Sequence, residues 1–159
     1  MNSIEIENIL NKNKWNRFKF IGCFAADLLP TELNKDIPVC FIANVDQLKE
    51  SGSHWVLFLI PKEGYLEYFC PLGISFYHWP LFVNYIRNIM NFECIIMNRK
   101  RIQSINSNLC GIFCIEFVIK RDKGISFALI INSYSTKNFL CNDLQALNYV
   151  KDLRIRLNK

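Results

Sequence analysis

His54, Gln103 and Cys110 are the residues of this 159-residue chain whose types could combine into a reaction. An imidazole within hydrogen-bond reach of a thiol can take its proton, and the thiolate so formed is a strong nucleophile. The negative oxygen that grows when a thiolate attacks a carbonyl needs donors, and the Gln103 side-chain amide and the Cys110 backbone N–H are suitable ones. Cys110 opens the apolar run "CGIFCIEFVI" behind Asn106, Ser107 and Asn108, all of them helix-capping types. A helix starting there puts the thiol in its first turn, where free backbone N–H groups and the helix dipole favour an anion. Each residue also has a plainer reading: Cys110 as a small core hydrophobe, His54 as a hydrogen-bonded residue at a strand edge, Gln103 as an exposed polar side chain. The three together favour chemistry.

These side chains must be held by the surrounding elements. Ser51-Gly52-Ser53 is a flexible lead-in to His54. Segments 54–61, "HWVLFLIP", and 65–70, "YLEYFC", read as strands of a hairpin closed by a tight Lys62-Glu63-Gly64 turn. His54, Val56 and Phe58 fall on one face of the first strand and Trp55, Leu57 and Leu59 on the other, so a strand covered on both sides is expected. "FKFIGCF", "PVCFIANV" and "ECIIM" read as further strands. A short amphipathic helix is expected to carry Ile4, Ile6, Ile9 and Leu10, and Pro80 to open another carrying Phe82, Tyr85, Ile86, Ile89 and Met90. The Cys110 helix should be buried on most sides. "ISFALIINSY" and "DLQALNYVKDLRIR" predict two more helices, the last capped by Asn142 or Asp143. The sum is one α+β domain over residues 1–159, with a sheet covered by helices.

A composition of 51% hydrophobic and 21% charged residues fits a globular protein. Seven cysteines, an odd number without a C-x-x-C pair, argue against a disulfide framework and the common zinc modules, and so for a reducing compartment. "MNSIEIENIL" does not read as a signal peptide and the apolar runs fall short of a membrane span, so a soluble protein that is not secreted is expected. The net charge of +5 is mild, and "NRKR" at 98–101 and "KRDK" at 120–123 read as solvated surface.

The order His, Gln, Cys, the seven-residue interval from Gln103 to Cys110 and the core "CGIFC" resemble the adenain family of cysteine proteases, the adenovirus endopeptidase and its relatives in virophages and Maverick/Polinton-type elements. "FIGCFAADLLP", "CFIANVDQLKESGSHWVLF" and "CPLG" resemble its N-terminal segment, its His-Trp strand and its acid-Pro-x-Gly turn, so the likeness runs along most of the chain. The resemblance implies a papain-related adenain/SUMO-protease-like fold, with a mixed sheet packed around a central buried helix. It implies Cys110 as nucleophile, His54 as general base and later acid, and Gln103 as oxyanion donor. Gly111 would let substrate approach the nucleophile, with Trp55 and Ser53 beside the substrate groove. The implied activity is an endopeptidase that cuts viral capsid or other structural precursors after small residues during virion maturation. Such a monomeric enzyme would work in the virion and the host-cell cytoplasm or viral factory. The chemistry needs no cofactor, while the family's activation by a short peptide and by DNA suggests either as an activator and gives Cys94 a candidate linking role. DNA contacts would be weak and salt-dependent.

One position departs from the family. The residue before the Pro-x-Gly turn is an acid there and Cys70 here. A thiol is a weak acceptor and replaces a carboxylate poorly. Glu67 lies an odd number of residues away on the strand and should face the other side. A Cys-His dyad with Cys70, a water or a carbonyl in the third place is expected, with Asn44 and Asp46 as alternative acceptors. Three other readings stand beside the endopeptidase: a protease for ubiquitin- or SUMO-like proteins, an inactive scaffold that binds capsid protein, and a metal site using Cys110, Cys114 and the histidines.

Overall fold

The computed structural model describes residues 1–33, 36–61, 65–89 and 92–158, without the side chain of residue 89. Its chain order is α1 (Ser3–Leu10), β1 (Lys19–Phe24), β2 (Val39–Asn44), β3 (Trp55–Ile60), β4 (Leu66–Phe69), α2 (Pro80–Ile89), β5 (Ile95–Met97), α3 (Cys110–Asp122), α4 (Phe127–Asn132) and α5 (Phe139–Leu157), with a one-turn 3-10 helix at Phe76–His78. The strands form one mixed sheet in sequence order. The outer pairs β1–β2 and β4–β5 are parallel, and β2–β3 and β3–β4 are antiparallel. β3 and β4 thus pair as the expected hairpin, whose Lys62-Glu63-Gly64 turn lies outside the described residues, as does Met90.

β3 is covered on both sides, and its alternation sorts the core into two halves. Leu57 and Leu59 join Phe69 and the apolar residues of α1, α3, α4 and α5. Val56, Phe58 and Ile60 join Tyr68, Cys70, Phe76 and the α2 residues Phe82 and Ile86. α3 is the central post: every residue from Cys110 to Ile119 is buried, and Phe117 stacks on Phe69 with ring centroids 4.0 Å apart. Its far end is fixed by polar contacts. Arg121 makes a two-pronged ion pair with Glu67, and buried Asp122 accepts the backbone N–H groups of Asn16, Arg17 and Phe18. Glu67 accordingly faces α3, on the opposite side of β4 from Cys70, as its position on the strand predicts.

Three local expectations are corrected. Ile4 is 66% exposed, and Ile6, Ile9 and Leu10 alone carry the buried face of α1, which starts with an Asn2–Glu5 capping box. α5 starts four residues earlier than expected, at Asn138, whose side chain accepts the Cys141 N–H; Asn142 and Asp143 lie inside the helix and bind other segments. α3 has Leu109 at its N-cap and no side-chain cap, so Asn106, Ser107 and Asn108 do not perform that role. Among the described residues no helix is long and apolar enough to cross a membrane.

Candidate active site

His54, Cys70 and Cys110 come from three elements that end together. β3 starts just after His54, antiparallel β4 ends just before Cys70, and the head of α3 lies beneath Trp55. The loop from β2 is closed by a Val45 N–H to His54 C=O bond of 3.0 Å, which fixes the histidine backbone.

The His54 ring is 8% exposed, and its Nε2 lies 3.3 Å from Cys70 Sγ. Cys70 is therefore the side chain set against Nε2 of the imidazole. Asn44 is turned to its own loop, accepting the Asp46 N–H at 3.0 Å, and Asp46 acts on His54 only through its charge. Trp79 stacks loosely on the imidazole, with ring centroids 6.4 Å apart and planes 24° from parallel. Burial lowers the His54 pKa from 6.5 to about 4, against the opposing pull of Asp46. Burial also raises Cys70 to about 11, although the backbone N–H groups of Ile74, Leu72 and Gly73 point toward its sulfur and favour the thiolate. The buried Tyr68 hydroxyl lies beside Cys70 without hydrogen-bond geometry to any described atom.

Cys110 is 6% exposed and faces the backbone N–H groups of Trp55 and Gly111, with Cys70 close enough to feel its charge. The N–H groups favour the thiolate, as a helix head should, but desolvation outweighs them and raises the thiol pKa. The expected bias toward a resting thiolate is thereby corrected: thiol and imidazole are both neutral at rest. Cys114, one turn on, is fully buried and its thiol points at the Trp55 carbonyl, 3.6 Å away.

Gln103 is a buried residue, 2% exposed. Its backbone N–H and that of Ile102 both donate to Pro71 C=O, at 3.1 and 2.9 Å. α5 holds its neighbours: Asn142 Nδ2 donates to Ile102 C=O at 2.8 Å, and Asp143 accepts the Ser104 N–H at 3.2 Å. The side-chain Nε2 donates to Ser107 C=O at 2.7 Å, and Oε1 is buried without a partner among the described residues. One N–H of the amide thus braces the approach to α3, and the other has no hydrogen-bond partner among the described residues.

A groove of about 530 Å³ runs up to Trp55 and is lined there by Asn44, Gly52, Met1 and Asn2. Trp55 forms its wall and also packs on the core, with its indole N–H donating to Met1 C=O at 3.1 Å. Ser53 is exposed but does not line this groove. Gly111 packs against α1: a Cβ there would meet Ile6 Cδ1 at 3.1 Å and both Met1 Sδ and Trp55 Cδ1 at 3.4 Å, so the helix contact accounts for the glycine. Cys94 is exposed at the start of β5. Among the described residues no three His, Cys, Asp or Glu side chains converge in the way a metal ion requires.

Two contributors escape sequence reading: Trp79 against the imidazole, and Asn98, which binds the backbone of Cys70. Trp79 stands before a helix-opening proline and Asn98 follows a strand, positions that carry no chemical signature of their own.

No protein-family model matches the sequence, and no curated protein does. Among solved structures the chain is similar to the ASFV pS273R protease, with 18% identity and a TM-score of 0.45 over 69% of this chain and 43% of that one. It therefore matches less than half of that protein's length.

Proposed function

We propose that this chain is a cysteine endopeptidase acting on viral capsid or other structural precursor proteins, with Cys110 as nucleophile, His54 as base and Gln103 as oxyanion donor. The observation that carries the reading is the Nε2 contact of His54 with Cys70, on a turn that also anchors Gln103 through Pro71 C=O. With Nε2 engaged, Nδ1 is the nitrogen left to accept the Cys110 proton as the sulfur attacks the scissile carbonyl. The oxyanion then takes the Cys110 N–H and the spare Gln103 N–H. His54, protonated at that moment, returns the proton to the leaving amine, and water releases the acyl group by the reverse sequence. Because both groups are neutral at rest, His54 serves as a general base rather than as half of a standing ion pair. Extended peptide would lie in the groove beside Trp55.

The test is a proteome-derived peptide library incubated with the protein, with and without short duplex DNA, followed by enrichment of new N-termini. Cleavages after small residues that disappear in both Cys110→Ala and His54→Ala are expected. A library with no Cys110-dependent cleavage would leave the inactive scaffold, which the neutral thiol and the absent carboxylate also fit.

A further inference from the structure

Asn98 follows the last residue of β5, at the point where that strand leaves the sheet. The parallel β4–β5 ladder pairs Leu66 with Ile95, Glu67 with Ile96 and Tyr68 with Met97, and there it stops. Two residues beyond Tyr68, the Cys70 backbone still carries an N–H and a C=O that need partners inside the protein. The Asn98 side chain bonds to both, and the C=O also accepts the Gly73 N–H at 2.8 Å. Its Oδ1 accepts the Cys70 N–H at 2.9 Å, and its Nδ2 donates to Cys70 C=O at 2.6 Å and to Lys100 C=O at 3.1 Å. A carboxamide is a peptide group on a side chain, so Asn98 extends the ladder after the main chain has turned away. It is 3% exposed, and the three bonds leave little freedom for its rotamer. Aspartate lacks the donor, and glutamine is one methylene too long for the same pair of bonds.

This clamp has a consequence for the site. Cys70 is the residue in contact with His54 Nε2, and the segment after Asn98 supplies Gln103, which is bonded to the same turn. We propose that Asn98 is a positioning residue: by holding Cys70 at both its N–H and its C=O, it fixes the sulfur against His54 Nε2 and so sets the ring orientation that leaves Nδ1 for the Cys110 proton. This inference rests on the dyad reading above and adds the residue that aligns it.

The test reads the dyad without needing its substrate. Iodoacetamide alkylation of Cys110 is followed against pH by peptide mapping of the intact protein, with the exposed Cys94 and Cys141 mapped in the same digest. A thiol coupled to an imidazole reacts at a rate that rises once, through the lower pKa of the pair, and then stays level through neutral pH. A thiol acting alone gains about tenfold per pH unit up to its own pKa. The groups facing His54 are Cys70 after β4 and Asp46 before β3, with Trp79 the aromatic neighbour; Cys110 lies close enough to Cys70 to act on it through its charge. In Asn98→Asp and Asn98→Ala the level rate is expected to fall by about three- to tenfold, and the acid limb to move up by about one pH unit as His54 gains water. In a Cys70→Ala background Asn98→Asp should add nothing, because its effect runs through Cys70. A folded Asn98 variant with the wild-type profile overturns the positioning role, and so does an Asn98→Asp effect that persists without Cys70. Should neither single variant fold, even at low temperature, the residue is a fold determinant and the proposal is equally overturned. Wild-type Cys110 with no level region would instead overturn the dyad reading itself, and the two failures are therefore distinct.

Discussion

A sulfur where a carboxylate would serve changes what the imidazole beside it receives. A carboxylate orients the ring and also stabilises the imidazolium, whereas a neutral thiol can do only the first. Cys70 is held neutral by burial even though three turn N–H groups point at it, so His54 gains direction but no charge from this neighbour. Cys70→Ala should therefore lower Cys110-dependent peptide cleavage by less than about tenfold, roughly 1.4 kcal/mol of barrier. His54→Ala should cost at least about a hundredfold, the ordinary worth of a general base. Equal losses in the two variants would mean that Cys70 takes part in the proton transfer. His54, Gln103 and Cys110 were legible in the sequence as types and intervals. Their ionisation was not: the helix head favours the Cys110 thiolate as expected, and the desolvation that outweighs it depends on tertiary packing.

At the level of elements, the site depends on how tightly residues 98–103 lie across the turn after β4. Gly73 lies in the left-handed region at φ +70°, and a Cβ on it would stand 2.7 Å from both Arg101 N and Lys100 C. Those are backbone atoms and cannot swing aside. Gly124 is a control with φ +87°, where a Cβ would meet only the guanidinium end of Arg17. Gly73→Ala should lose roughly 2–4 kcal/mol of unfolding free energy in urea and Gly124→Ala about 1 kcal/mol, because the second carries conformational strain without the backbone clash. Equal urea midpoints for the two variants would refute the close approach. The β3–β4 hairpin, the Pro80 helix start and the buried α3 could all be read from apolar periodicity, since each is a local pattern. The caps could not. Asn142 or Asp143 was expected to cap α5, yet the Asn142 side chain holds Ile102 and Ser135 and Asp143 holds Ser104; the contacts to Ile102 and Ser104 bridge distant parts of the chain and leave no local trace.

Across the whole molecule, the candidate site lies at the end of the sheet where the two halves of the core meet, with Trp79 and Cys70 on one side and the head of α3 on the other. That placement shields His54 and makes its ionisation a property of folding. In the unfolded chain the imidazole titrates at 6.5, and in the folded protein at about 4. Between those values the unfolded state binds a proton that the folded state excludes. Stability from this residue is therefore complete above pH 6.5, declines as pH falls toward 4, and levels off below that. The difference amounts to roughly 3 kcal/mol at most. Acid acts on the rest of the molecule as well, so wild type alone does not isolate the histidine. His54→Asn supplies the comparison, because it keeps a polar side chain of similar reach and removes the titration. Urea unfolding at pH 7 and pH 4.5 should show wild type losing about 2–3 kcal/mol more than His54→Asn over that interval. Parallel losses in the two proteins would mean that His54 accepts its proton in the folded state near the ordinary pH, and that the end of the sheet is open to water.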